Sequence, residues 1–158
     1  MSDPPDPAGQ DAARIVEVGG KEATAREAVA EATVEMSSEA CRRLLAGTPK
    51  GNPLEAARIA GIMAVKRTPD LLPFCHPVAV TGAEVEVRAD PEARAVRIRS
   101  TVRATDRTGV EMEALTAAAV AALSIYDTVK GYERTAQVTG IRLLEKRGGK
   151  SGDYRAEG

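Results

Sequence analysis

The stretch VAVTGAEVEVRADPEARAVRIRSTVRA, Val78–Ala104, decides the fold class. From Ala95 to Ala104 apolar and charged residues alternate. Val96, Ile98 and Val102 fall on one face and Arg97, Arg99 and Arg103 on the other, the period-two pattern of a half-buried strand. Val78–Ala89 alternates too, but its apolar parity changes near Gly82: Val78 and Val80 precede the change, Val85 and Val87 follow it. An isolated glycine at a change of parity predicts a β-bulge. Asp90-Pro91-Glu92-Ala93 lies between the two runs as a turn, so they read as an antiparallel hairpin. A helix follows from about Glu113 to Lys130, through ALTAAAVAALSIYDTV. Its alanines predict close neighbours.

Upstream, the sequence predicts two more helices. One spans Ser38–Ala46, capped by Ser37 or Ser38 and ended by Gly47. The next starts at Asn52, with Pro53 in the first helical position and Glu55 three residues after the cap. It runs through EAARIAGIMAVK, and Thr68-Pro69-Asp70 predicts its break. Arg14–Val18 reads as a short strand, and Arg26–Met36 has no clear type. A final strand, Val138–Lys146, precedes the tail RGGKSGDY. Residues 1–13 read as a disordered tail and 14–158 as a single α+β domain with a flexible C-terminal end. Helices and antiparallel strands in this order predict a sandwich, with helices on one face of the sheet.

Composition narrows the function. The chain has 158 residues, 22 Lys+Arg against 23 Asp+Glu, one Phe, three Tyr and no Trp. Net charge therefore does not point to nucleic acid or membrane. Scarce aromatics argue against stacking on single-stranded bases. One His and two Cys cannot complete a four-ligand Cys/His zinc site in one subunit, although a carboxylate-held Mg²⁺ stays open. Two cysteines, with Cys41 a small buried helix residue, suggest a reducing, cytoplasmic setting. No apolar run approaches the ~20 residues of a membrane span. The opening MSDPPDPAGQD has no signal-peptide core.

Four stretches can carry chemistry. KRTPDLLPFCHP, Lys66–Pro77, holds Cys75 and the only histidine, His76, between two stiffening prolines. His76 either exchanges a proton with a ligand or bonds a backbone carbonyl. Cys75 reads as a pocket wall rather than a nucleophile, His76 being the only nearby base. TGVEMEALTA places Glu111 and Glu113 at the start of the long helix, either to cap it or to accept hydrogen bonds from an amino-bearing heterocycle. In IYDTVK, Asp127 and Lys130 are three apart and share a helix face. They form a surface ion pair or, at the edge of an apolar run, a partly desolvated acid/base pair. EKRGGKSGD fails as a P-loop, because the first glycine position is Leu144. Its glycines, with Lys146 and Lys150, still suit an anion. Lys50 beside the Asn52 helix start is a further phosphate candidate.

ARIAGIMAVKRTPDLLPFCHP, TGVEMEALTAAAVAALSIYD and IRLLEKRGGKSGD, in that order, resemble the cyclic pyranopterin monophosphate synthase family of molybdenum cofactor biosynthesis. The resemblance covers about Val16–Tyr154. It implies a ferredoxin-like α+β fold and a lyase that converts 3′,8-cyclo-7,8-dihydro-GTP into cyclic pyranopterin monophosphate with release of diphosphate. It implies Asp127, Lys130 and Lys50 as catalytic. Phe74, Cys75, His76, Glu111, Met112, Glu113, Lys66, Arg26, Lys21, Lys146 and Lys150 become substrate-binding. No metal site and no cofactor are implied, apart from Mg²⁺ that the triphosphate can bring. The implied partners are the cyclised dihydro-GTP, further copies of the chain in a trimer of dimers, and the radical-SAM cyclase that makes the substrate. Two departures stand out: Glu17-Val18-Gly19-Gly20-Lys21 replaces the family's Asp-Val-Ser/Thr opening, and GYERTAQ, residues 131–137, is unlike the family's usual stretch.

Helix geometry adds one expectation. Glu113 and Asp127 are fourteen residues apart, roughly 21 Å along an axis. A pocket touching both is therefore expected to be shared with an antiparallel helix of a second copy. The rival reading is a non-catalytic module that binds RNA through Arg97 and Arg99, with salt-sensitive affinity.

Overall fold

The computed structural model describes residues 12–158, so the expected tail lies almost wholly outside the described residues. Arg14–Val18 is not a strand: it is irregular, and Ile15 and Val16 point into solvent. A strand needs a partner ladder, and none pairs with this segment. The first strand is instead β1, Thr24–Glu35, inside the segment of unclear type. Ala28, Ala30, Ala32 and Val34 form its buried face. Alanine carries little strand preference, which hid the alternation.

Helix α1, Ser38–Ala46, is capped by Ser37, whose hydroxyl accepts the Ala40 N–H, and ends at Gly47 with φ 83°. Helix α2, Pro53–Leu71, starts on Asn52, whose side-chain oxygen accepts the Leu54 and Glu55 N–H groups. It does not break at Thr68-Pro69-Asp70. Proline removes one ladder bond, but this one sits in the last turn, where few bonds remain to lose. The Thr68 hydroxyl donates to the Ala64 carbonyl at 2.8 Å, and the Leu72 N–H donates to the Thr68 carbonyl at 3.0 Å.

Strands β2, Val80–Asp90, and β3, Ala95–Asp106, form the expected hairpin. The register skips between Val80 and Gly82, so the bulge lies where the parity changes. The Asp90 carboxylate accepts the Glu92 and Ala93 N–H groups and shapes the turn. Helix α3, Glu111–Val129, crosses the sheet, and β4, Gln137–Arg147, returns beside β1. The glycine-rich tail then folds back as β5, Tyr154–Arg155, against β4. Two residues are too short to show a period.

The sheet order is β2-β3-β1-β4-β5, antiparallel throughout. The first four strands and the helices between them make a ferredoxin-like sandwich. The core lies between sheet and helices, around Val34, Leu44, Val96, Ile98, Val102 and Ile125. A Cβ on Gly61 would stand 3.0 Å from the Val85 side chain and 3.2 Å from the Ala117 carbonyl. A bare backbone is what lets α2 close on α3 and β2. Buried Ser100 donates to the Ala114 carbonyl at 2.6 Å and ties β3 to α3. At 19 residues, α3 is long and apolar enough to cross a membrane, contrary to the expectation that no such run exists. It is nevertheless the core helix here, with Ala114, Ala117, Ala118, Ala121, Ala122 and Ile125 fully enclosed.

The other sheet face is charged in both signs. Arg103 pairs with Glu27 at 2.6 Å and Arg142 with Glu31 at 2.7 Å. Arg97 and Arg99, the arginines of the rival reading, take no part in these pairs.

Candidate active site

Four expected cations converge. Lys21 before β1, Arg26 on β1, Lys146 on β4 and Lys150 in the β4–β5 turn line one cleft of about 800 Å³, with Glu111 in its wall. Arg107, which the sequence reading did not single out, is the fifth cation there. Its only sequence signal is that it directly precedes TGVEMEA. Glu22 and Glu111 are the acidic residues of the lining, so positive charge prevails. Lys146 Nζ lies 3.5 Å from Glu111 Oε1 and also donates to the Ser151 hydroxyl. Arg26 Nε donates to the Asp106 carbonyl at 3.3 Å. Its guanidinium lies against Gly149, where φ is +88° and any Cβ would collide with it. The glycine thus holds open the space that Arg26 occupies. A concave surface with five cations suits a polyphosphate.

The prolyl loop reaches the start of α3. Cys75 Sγ donates to Glu113 Oε1 at 3.6 Å, and its sulfur is 3.7 Å from the His76 carbonyl. Glu113 is 1% exposed, and its second oxygen, Oε2, has no partner. Burial pushes the Glu113 carboxyl above the ordinary carboxylate range, and Glu111 adds to the shift. Burial, then the charge of Glu113, push the Cys75 thiol up to about 11. Cys75 is therefore a protonated donor at neutral pH and not a nucleophile. Lys66 and Glu113 line a smaller cavity of about 360 Å³ with Ile62, Pro69, Pro77 and Val78. The ring of His76 makes no hydrogen bond among the described residues, so no backbone carbonyl holds it. Phe74 and Met112 project outward, 59% and 41% exposed.

Asp127 and Lys130 lie at the other end of α3. They form an ion pair at 2.6 Å, with side chains 74% and 57% exposed. The hydrogen bond and charge of Lys130 hold the Asp127 carboxyl below its ordinary value, with a small contribution from Lys50. Asp127 in turn raises Lys130. Lys50 belongs to this end, in a tight turn where Thr48 and Gly51 exchange backbone hydrogen bonds. The expected desolvation of the pair is not present within one chain. Glu111 and Asp127 stand sixteen residues apart on α3, about 24 Å along its axis. Of the fourteen expected residues, Lys21, Arg26, Glu111, Lys146 and Lys150 share the cation cleft, Lys66 and Glu113 share the smaller cavity, and Asp127, Lys130 and Lys50 lie at the other end of α3. Among the described residues no group of three His, Cys, Asp or Glu side chains is arranged to hold a metal ion.

The family model described as MoaC family matches residues 15–149. The chain belongs to the MoaC family. A Pelotomaculum thermopropionicum protein named cyclic pyranopterin monophosphate synthase is 54% identical over 147 residues, covering 92% of this chain and 86% of that relative. A Roseiflexus castenholzii protein of the same name is 53% identical and covers 92% of each chain. One from Streptomyces griseus is 54% identical, covering 91% of this chain and 81% of the relative. The MoaC match takes in both ends of α3 and all the expected site residues except Lys150, which lies one residue beyond it.

Proposed function

We propose that this chain is a cyclic pyranopterin monophosphate synthase, converting 3′,8-cyclo-7,8-dihydro-GTP into cyclic pyranopterin monophosphate and diphosphate. Such an enzyme is a lyase of molybdenum cofactor biosynthesis, as the names of relatives identical to this chain at over half the aligned positions imply. The observation that carries the reading to the residues is the cleft itself. Five cations line it with Glu111, and two residues further along α3 the buried Glu113, with one unpartnered oxygen, lines a second, smaller cavity. That combination suits a ligand with phosphates at one end and a hydrogen-bonding heterocycle at the other.

Lys21, Arg26, Lys146 and Lys150 bind the triphosphate. A ribose oxygen attacks the α-phosphorus, and the bond to the diphosphate leaving group breaks. The lysines and arginines stabilise the charge that develops on that group. Glu113 and Glu111 engage the heterocycle, with Cys75, His76, Phe74, Met112 and Lys66 around it. Asp127 and Lys130 move protons during ring opening and pterin closure, helped by Lys50. No electrons leave the substrate, so no redox cofactor is needed. Mg²⁺ is a counter-ion that the triphosphate can carry in.

The complete pocket forms between two copies, with α3 antiparallel to its mate across a two-fold axis, which sets Asp127 of one beside Glu113 of the other. Ile59 and Met63 on α2 and Leu123 on α3 are more than half exposed, an apolar surface suited to that contact. Three such dimers make a cytoplasmic hexamer, supplied with substrate by the radical-SAM GTP cyclase. The direct test is incubation with the cyclised dihydro-GTP, followed by detection of the oxidised pterin and of diphosphate. If a well-folded oligomer forms neither, the assignment fails.

A further inference from the structure

β3 ends at Asp106, and three parts of the site meet there. Asp106 Oδ2 accepts the Ala79 N–H at 2.7 Å, and Oδ1 accepts the Arg107 N–H at 2.7 Å. The Asp106 carbonyl accepts Arg26 Nε at 3.3 Å. Ala79 follows the prolyl loop three residues after His76. Arg107 and Arg26 both line the cation cleft. The β2–β3 ladder begins at Val80 opposite Ala104, next to the bulge. The Ala79 N–H, just outside that ladder, therefore takes a side chain as its acceptor.

We propose that Asp106 is a positioning residue that ties the Cys75–His76–Pro77 loop to the cation cleft, fixing the spacing between the heterocycle end and the phosphate end of the pocket. The inference rests on the functional reading above and adds a residue outside the catalytic and binding set. Only a carboxylate of this length meets the geometry. Each oxygen takes a different backbone N–H, so both must be acceptors. Asparagine offers one acceptor and turns an NH₂ group on the other donor. Glutamate moves the carboxylate by one methylene. Arg26 is held by the main chain of Asp106, so replacing the side chain leaves that bond its acceptor. Substitution thus removes the loop tie and the side-chain acceptor of the Arg107 N–H, while Arg26 keeps its main-chain acceptor.

The variants are Asp106→Asn and Asp106→Ala in the full chain, the near-isosteric Asn carrying the test if Ala does not fold. Three quantities are measured: hydrogen exchange at the Ala79 amide, steady-state kinetics on the cyclised dihydro-GTP, and calorimetric affinity for inorganic triphosphate. We expect Ala79 exchange to rise by about tenfold or more, as for loss of a hydrogen bond to a charged group. KM should rise about tenfold with kcat within about threefold of wild type, because pocket spacing governs binding of the whole substrate. Triphosphate affinity should change by less than KM does, since the cleft keeps its five cations and Arg26 keeps its main-chain acceptor. A merely structural role would lower the unfolding temperature and kcat together and move triphosphate affinity too. Unchanged Ala79 exchange, or raised exchange with unchanged KM, overturns the proposal. If the wild-type chain turns over no substrate, the functional reading has failed, and Ala79 exchange still decides whether the tie exists.

Discussion

The two ends of α3 carry the same kind of group in opposite surroundings. Near its start Glu113 is enclosed, hydrogen-bonded by a thiol and pushed up by burial. Near its end Asp127 is open to solvent, paired with an ammonium and held low by it. The start of the helix packs against the prolyl loop, so a single chain walls its own pocket there. At its end Ile125 and Val129 still face the core, but Asp127 and Lys130 face outward, so a single chain leaves an ion pair in water, where such pairs contribute little to stability. A carboxylate and a lysine that exchange protons with a substrate need water excluded around them. In the function proposed above, the exposed end therefore needs a second surface to close over it.

The largest expected effect lies at the open end. Lys130→Ala should lower kcat by about 10²-fold or more, the range for loss of a general acid/base. The unfolding temperature and oligomer size should not change, since the side chain is solvated. Wild-type-like product formation would remove Lys130 from the mechanism.

A second experiment joins the two ends. Asp127→Ala and Glu113→Ala chains should each be inactive alone. Co-refolded in equal amounts, they should recover about a quarter of wild-type activity, because half of randomly formed dimers are mixed and each mixed dimer rebuilds one of its two sites. No recovery from well-folded, mixed oligomers would place both residues in single-chain sites.

The smallest expected effect is on stability, at the closed end. The folded-state pKa of Glu113 is raised, so its burial costs nothing below the unfolded carboxylate value. That cost grows as pH rises and the unfolded chain ionises more readily. Glu113→Gln should therefore raise the thermal midpoint at pH 8 and leave it nearly unchanged at pH 4. An equal shift at both values would mean that burial does not raise the Glu113 carboxyl.

Local chemistry was legible wherever one residue type has one strong reason to occur. Ser37 and Asn52 cap helices because their side chains accept exposed N–H groups. Gly82 marks a bulge because the parity changes there. The fold class and the site motifs could be read in the same way. Signals that depend on neighbours were not legible. β1 is built on alanine, so its strand character comes from β3 and β4 on either side. Pro69 looked like a stop, but near the end of a helix it removes little. Arg107 and Asp106 belong to no pattern, and they matter because β1, β2 and β3 end at the same place.

By itself the sequence determined the three helices, the hairpin, the α+β class and the family, because caps, alternation and long motifs are local. Only the tertiary structure decided which of the site residues share a space. Lys21, Arg26, Glu111, Lys146 and Lys150 are scattered along the chain and meet because antiparallel pairing brings distant segments to one sheet end. Asp127 and Lys130, close to Glu113 in sequence, are kept from it by the straight length of one helix.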